Sequence, residues 1–157
     1  MVYTSGVIKS IDRVETLEEL QDNKLELVCS KLDLKPEDRV LDVGCGWAAL
    51  TVFAAKNYGC DVTGITLGKN QTAFGNQRIK DNGLTHDKAR ILCMDYRDIP
   101  GGPGSYTKIV ALEMAEVCPL SVRPPSVGLT LLPPPRPRPP PLRMIVSMLV
   151  FVDMALS

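Results

Sequence analysis

The most constraining feature of the sequence is a short apolar run that ends in a glycine pair and leads directly into a helical segment. The run is Arg39–Val43 (RVLDV), the turn is Gly44-Cys45-Gly46, and a helix is predicted over 48–58. Glycine lets a strand turn sharply into a helix and lets a ligand approach the backbone closely. In open α/β sheets, ligands bind at the carboxyl ends of the strands, where such turns lie. The motif therefore predicts a parallel α/β sheet with a ligand site at this turn.

A helix signal lies upstream of this turn. Thr16 and Glu19 have the spacing of a capping box, in which the two side chains satisfy backbone N–H groups at the start of a helix. The residues that follow have helical periodicity, so we predict a helix over 17–32. Its buried stripe is expected to comprise Leu17, Leu20, Leu27, Val28 and Leu32.

Strand and helix signals continue to alternate beyond the glycine turn. The predicted elements are strands over 61–66, 90–94 and 108–112 and a helix over 71–82, followed by Gly83 as its carboxyl-terminal cap. Strands separated by helices are typical of parallel sheets, because the chain must cross over before it pairs in the same direction. The predicted fold class is α/β, a Rossmann-like, doubly wound parallel sheet.

The composition changes abruptly after Glu116. Ten of the thirteen prolines lie between Pro119 and Pro141, and proline neither continues a helix nor donates to a strand ladder. We therefore predict one incomplete domain over 1–116 and an irregular, proline-rich tail over 117–157 that is not a domain. The run PPPRPRPPP also matches motifs that dock into aromatic-lined grooves. We favour a solvated spacer or a translation artefact, such as a retained intron, over that interaction module.

The composition also bears on several classes of partner. Lysine and arginine together number 18, as do aspartate and glutamate, so no nucleic-acid partner is predicted. The five cysteines are scattered and there is one histidine, which argues against a metal site. The N-terminus lacks the pattern of a secretion signal, and the apolar stretch 144–156 is shorter than a membrane span. For this chain alone we expect a cytoplasmic location and free thiols.

The glycine turn by itself leaves more than one ligand class open. Ala49 permits a relaxed match to the G-x-G-x-x-G run of dinucleotide sites. The second predicted strand ends at Thr66, however, and not at the acid that holds a ribose diol in that fingerprint. Asp42 lies just before the turn, where a carboxylate can hold an ammonium group or order the loop. This favours an aminoacyl-type ligand, with a nicotinamide oxidoreductase or a turn without a ligand as alternatives.

Five segments, in this order, carry a resemblance to a known family. They are residues 3–6 (YTSG), 40–47 (VLDVGCGW), 63–71 (TGITLGKNQ), 93–100 (CMDYRDIP) and 112–116 (LEMAE). The series resembles the cyclopropane-fatty-acyl-phospholipid synthase and mycolic acid methyltransferase family, and within it the fungal sphingolipid C9-methyltransferases. The resemblance implies the class I methyltransferase form of the Rossmann-like sheet, with S-adenosyl-L-methionine as the cofactor.

The resemblance also implies which residues contact the cofactor. It places the glycine loop around the methionine portion, the segment that follows the second strand on the ribose side, and a later Tyr-Arg pair beside the adenine. The implied cofactor-binding residues are Tyr3, Thr4, Asp42, Gly44, Gly46, Thr66, Leu67, Gln71, Tyr96 and Arg97. Ala48 replaces the family's usual glycine, and its methyl is expected to crowd the ligand slightly. Trp47 is expected to pack and not to bind.

The reaction implied by the resemblance is methylation of a lipid carbon–carbon double bond. The alkene attacks the sulfonium methyl directly and becomes a carbocation, from which a base, bicarbonate in the family, removes a proton. Such a reaction needs fixed reactants and a dry cavity. Ser5 and Glu116 match positions near the base and are the candidate catalytic residues. The expected site of methylation is C9 of the sphingoid base of glucosylceramide, with cyclopropane formation on an unsaturated acyl chain as the alternative.

The sequence departs from the family pattern after Glu116. The family continues His-Val-Gly, whereas this chain continues Val117-Cys118-Pro119, and Met1 resembles an internal methionine of longer members. We therefore expect a fragment that retains much of the cofactor pocket but does not methylate lipid by itself. An inert or binding-only fragment is the alternative. Membrane association is expected for full-length members of the family.

Overall fold

A computed structural model describes residues 5–101, 104–112 and 143–147, the last of these by their backbone alone. The elements in chain order are α1 (Leu17–Leu32), β1 (Arg39–Val43), α2 (Ala49–Tyr58), β2 (Asp61–Thr66), α3 (Lys69–Asp81), β3 (Ala89–Cys93), a 3₁₀ helix (Tyr96–Asp98), β4 (Lys108–Leu112) and β5 (Arg143–Ser147). The strands form one parallel sheet in the order β3-β2-β1-β4-β5. The predicted α/β fold class is confirmed. Within this part of the chain, no helix combines the length and apolarity needed to cross a membrane.

Helix α1 begins at its capping box, and its buried face coincides with the predicted stripe at Val28 and Leu32. The Thr16 hydroxyl accepts from the Glu19 backbone N–H at 3.2 Å, and the Glu19 carboxylate accepts from the Thr16 N–H at 2.8 Å. Leu17 is 65% exposed and Leu27 is 41% exposed. The buried residues are Gln21, Leu25, Val28, Cys29 and Leu32. These recur at the three- and four-residue spacing of one helical face.

The described helices pack on one face of the sheet and form the core with it. Val40 of β1, Val62 of β2 and Val110 of β4 are almost fully buried. They belong to one apolar cluster with residues from α1, α2 and α3. Burial of each such side chain contributes about 1.5–3 kcal/mol. The core therefore fixes the strands, and with them the turns at their carboxyl ends.

Strand β5 corrects the prediction that residues 117–157 are irregular throughout. Residues 143–147 pair in parallel with β4, with Lys108 opposite Arg143. This run follows the last proline of the tail and contains Met144, Ile145 and Val146. Apolar, β-branched residues without proline suit a strand, so this segment can complete a ladder that the proline run cannot. Residues 117–142 and 148–157 lie outside the part that the structure describes.

Candidate functional site

The turn between β1 and α2 follows a left-handed backbone path. The φ angle is 74° at Gly44, 53° at Gly46 and 63° at Ala48. The backbone N–H groups of Gly44 and Cys45 both donate to the Ile65 carbonyl oxygen at 3.0 Å. Glycine adopts positive φ without the steric cost of a Cβ atom. The two glycines therefore allow the turn to fold back onto the end of β2.

The two residues after Gly46 face the helices. Ala48 is fully buried, and its Cβ lies 3.1 Å from where a Cβ on Gly75 of α3 would be. The methyl group of Ala48 thus points toward α3, and it does not crowd the ligand side of the turn as we expected. Its left-handed conformation costs roughly 1–2 kcal/mol. Trp47 packs edge-to-face on Phe74, with ring centroids 5.2 Å apart.

A cleft of about 270 Å³ opens beside the turn, at the carboxyl ends of β1, β2 and β3. Its lining is mostly apolar side chains and glycine backbone, with the hydroxyls of Thr66 and Tyr96 and the amide of Gln71. The lining residues are Val43, Gly44, Gly46, Ile65, Thr66, Leu67, Gln71, Met94 and Tyr96. Ligand sites are typically lined in this way, with many apolar groups and a few polar groups that fix the orientation of the ligand.

The polar side of the cleft is a Thr66–Gln71 pair. The Thr66 hydroxyl donates to Gln71 Oε1 at 2.7 Å and accepts from the Gly68 N–H at 3.4 Å. Thr66 ends β2 and Gln71 lies in the first turn of α3. Because Gln71 Oε1 faces Thr66, the Nε2 hydrogens of Gln71 are its donors for a ligand.

Asp42 lies behind the turn and is outside the cleft lining. It is 2% exposed, and its Oδ2 accepts from the Thr51 hydroxyl of α2 at 2.9 Å. Burial raises the pKa of the Asp42 carboxyl to about 6, and the hydrogen bond from Thr51 partly opposes this. Of the two roles considered for this carboxylate, ordering the loop fits its position, because Asp42 ties β1 to α2.

Asp42→Asn is expected to stabilise the protein above pH 7 and to have little effect at pH 4. The folded-state pKa of about 6 lies above the ordinary value of 3.8. The stability associated with this carboxyl is therefore fully present below pH ~4 and is lost as the pH rises through ~6. The resulting gain in the free energy of unfolding above pH 7 is about 3 kcal/mol, and asparagine keeps an acceptor for Thr51.

Denaturant unfolding of the wild type and Asp42→Asn from pH 4 to 8 measures this gain. A gain in stability that does not vary with pH would contradict the raised pKa of Asp42. An equal gain in the surface variant Asp12→Asn would contradict it as well.

Tyr96 and Arg97 are adjacent in the 3₁₀ helix, but only Tyr96 lines the cleft. Tyr96 lines the cleft and is 40% exposed. Arg97 instead pairs with Asp95, from Nε to Oδ1 at 2.9 Å and from Nη2 to Oδ2 at 2.7 Å. This bidentate contact lowers the pKa of Asp95 to about 2. Arg97 therefore braces the amino-terminal cap of the 3₁₀ helix and is not part of the cleft lining.

The predicted site residues are only partly brought together. The cleft contains Gly44, Gly46, Thr66, Leu67, Gln71 and Tyr96. Ser5 is exposed, on the segment before α1. Tyr3, Thr4 and Glu116 lie outside the described residues, so their roles stay predictions. Sequence reasoning missed three lining residues that end or adjoin strands, a position that marks ligand sites in such sheets: Val43, Ile65 and Met94.

Comparison with known proteins gives consistent matches over this part of the chain. Residues 1–121 match the family model described as mycolic acid cyclopropane synthetase. The chain is 60% identical over 116 residues to sphingolipid C9-methyltransferase A of Emericella nidulans, covering 74% of this chain and 22% of that protein. It is 57% identical over 119 residues to sphingolipid C9-methyltransferase of Candida albicans, covering 74% of this chain and 23% of that protein. The chain thus spans less than a quarter of the length of these relatives.

A solved structure shows the same architecture. Mycolic acid cyclopropane synthase CmaA1, complexed with SAH and CTAB, matches with a TM-score of 0.60 and 30% sequence identity. The match covers 71% of this chain and 37% of that chain.

Proposed function

The chain belongs to the mycolic acid cyclopropane synthetase family, and we propose that its cleft binds S-adenosyl-L-methionine for methyl transfer to a lipid carbon–carbon double bond. The observation that carries this proposal is the meeting, in one cleft, of the glycine turn with Thr66 and Gln71. The CmaA1 structure was obtained with SAH, the product form of this cofactor, which supports the same ligand class here.

The residues of the cleft fit this cofactor. A Cβ atom on Gly46 would have no heavy atom within 4 Å, so there is room for a ligand against the backbone. Leu67, Met94 and Tyr96 offer an apolar surface for a purine ring. Thr66 and Gln71 provide a hydroxyl and an amide for ribose hydroxyl groups, where a nicotinamide dinucleotide site would carry an acid. The donor set therefore favours S-adenosyl-L-methionine over NAD.

The described residues bind and orient and do not themselves react. The cofactor supplies an electrophilic methyl group on a sulfonium sulfur. The turn, held by the Gly44 and Cys45 N–H groups on the Ile65 carbonyl oxygen, would position the bound cofactor for transfer. We propose that bicarbonate, held near Ser5 and Glu116, removes the proton from the methylated lipid. This assignment rests on the family motif at those two positions.

We propose C9 of the sphingoid base of glucosylceramide as the site of methylation. Support comes from two fungal relatives that are named sphingolipid C9-methyltransferases and are 60% and 57% identical to this chain. Cyclopropane formation on an unsaturated acyl chain is the second candidate, and the description of the family favours it. Because both substrates reside in bilayers, we propose that the full-length protein works at a membrane surface.

A segment exchange tests the proposal. Residues 1–116 of this chain replace the matching 116 residues of the Emericella nidulans relative, and the hybrid is incubated with glucosylceramide and methyl-labelled cofactor. We expect a 9-methyl product by mass spectrometry, within about tenfold of the parent's rate, because the cleft residues are retained. A hybrid that folds but yields no labelled lipid contradicts the function. A cyclopropane product from a monounsaturated phospholipid instead would select the second candidate.

A further inference from the structure

We propose that Gly6 and Asn23 are positioning residues that dock the N-terminal segment, residues 5–15, onto α1 and so raise the affinity of the cleft for its cofactor. The inference rests on the proposed function, because cofactor affinity is the quantity it concerns. Neither residue contacts the cleft.

Gly6 allows a close approach that no other residue permits. A Cβ atom at this position would overlap the Leu20 Cβ and lie 3.1 Å from the Leu20 carbonyl carbon. The neighbouring Val7 N–H donates to the Leu20 carbonyl oxygen at 3.0 Å and holds the two backbones together. Since the φ of Gly6 is outside the left-handed region, the contact with α1, and not backbone strain, is what requires glycine.

Asn23 holds both ends of the N-terminal segment at once. Its Nδ2 donates to the Val7 carbonyl oxygen and to Glu15 Oε1, each at 3.1 Å. The Glu15 side chain is only 4% exposed, and its other oxygen accepts from the Lys9 N–H at 2.8 Å. The side-chain amide of Asn23 therefore connects α1 to residues near both ends of the N-terminal segment.

The direction of the segment brings its start to the ligand-binding edge of the sheet. Gly6 lies against Leu20, and Lys9 pairs with Glu26 at 2.8 Å, so residues 6–9 run in the same direction as α1 before the chain returns to the start of that helix at Thr16. A short connection, residues 33–38, joins the end of α1 to the start of β1. Helix α1 therefore ends near the amino edge of the sheet, and because it packs along α2 and the core of the sheet, its start lies toward the carboxyl edge. Ser5 therefore lies toward the edge at which the cleft opens.

The segment contributes little to the core, which separates its effect on affinity from its effect on stability. Ile8, Ile11 and Val14 are 68%, 94% and 97% exposed. Releasing the segment from α1 thus removes few buried apolar contacts, and the sheet keeps its own core. A residue with a merely structural role would instead lower stability and binding together.

The test compares Gly6→Val and Asn23→Ala with Ile11→Ala, a control in the same segment. Three quantities are measured on the whole chain: hydrogen exchange of the Val7 amide, thermal unfolding, and the Kd for S-adenosylhomocysteine from Trp47 fluorescence. We expect the Val7 amide to lose its protection from hydrogen exchange in both docking variants, and S-adenosylhomocysteine to bind about tenfold more weakly. The thermal unfolding midpoint and the hydrogen-exchange protection of strands β1–β3 should not change. The control should match the wild type.

Three results would overturn the inference. The first is loss of Val7 protection with an unchanged Kd, which would show that docking does not affect the cleft. The second is protection that persists in both docking variants. The third is a fall in thermal stability that accounts for the weaker binding. A wild-type chain that does not bind S-adenosylhomocysteine would overturn the proposed function and this inference with it, and is recognised before any variant is made.

Discussion

Gly46→Leu is expected to weaken binding of S-adenosylhomocysteine by on the order of 100-fold, equivalent to about 2.7 kcal/mol. Gly46 lines the cleft, and a Cβ at this position would meet no heavy atom within 4 Å. The leucine side chain can therefore project into the space that the ligand needs without disturbing the protein around it. Calorimetric titration of wild type and variant measures the difference.

The matched control for this substitution is Gly83→Leu. Gly83 has a φ of 70°, compared with 53° at Gly46, and its Cβ direction is likewise open. It follows the carboxyl end of α3, whereas Gln71 of the cleft lining lies in the first turn of that helix. Both substitutions carry the cost of a left-handed leucine, roughly 1–2 kcal/mol, but only Gly46→Leu fills the cleft. Equal loss of affinity in the two variants would mean that backbone strain, and not occupation of the cleft, explains the effect.

Gly64→Val is expected to destabilise the fold by about 3 kcal/mol or more, a large share of the stability of a marginally stable domain. A Cβ on Gly64 would lie 2.6 Å from Ile91 Cδ1, 2.8 Å from Thr51 Oγ1 and 2.9 Å from Cys45 Cβ. The clash would also displace the Thr51 hydroxyl from the buried Asp42 carboxylate. Circular dichroism against denaturant measures the loss.

Thr63→Val, one residue away on β2, is the control and should have the opposite sign. The Thr63 hydroxyl is buried without a hydrogen-bond partner, and valine has nearly the same shape. Removing an unsatisfied polar group stabilises by about 1 kcal/mol or more. If Gly64→Val were tolerated as well as Thr63→Val, the close packing of α2 on the centre of the sheet would be contradicted.

Local signals predicted most element boundaries. The capping box marks the start of α1, and the glycine turn marks the end of β1. Helix α3 begins at Lys69, two residues before its predicted start. The prediction missed this start because the residue before it, Gly68, has no side chain to cap the helix. Cap residues with side-chain acceptors are recognisable in a sequence, whereas a glycine before a helix is a weaker signal.

Features that depend on tertiary neighbours could not be predicted in this way. Helical periodicity predicts Leu20 on the buried stripe of α1, but it lies against the backbone of Gly6, a contact that periodicity does not reveal. Asp42 and Val43 are consecutive in β1, and side chains alternate between the faces of a strand. The motif alone could not say which of the two faces the cleft. Likewise, the sequence pattern could not show that Arg97 pairs with Asp95 instead of a ligand.

The central claim is that the cleft at the carboxyl ends of β1 and β2 is the S-adenosyl-L-methionine site. A titration of the ¹⁵N-labelled chain with S-adenosylhomocysteine, followed by amide chemical shifts and repeated with NAD, tests it directly. We predict saturable shifts that are largest at Gly44, Gly46, Leu67 and Tyr96, with much weaker changes for NAD. Shifts centred instead on the hollow between α1 and α2, which Asp22, Phe53 and Tyr58 help to line, or no saturable shifts at all, would contradict the claim.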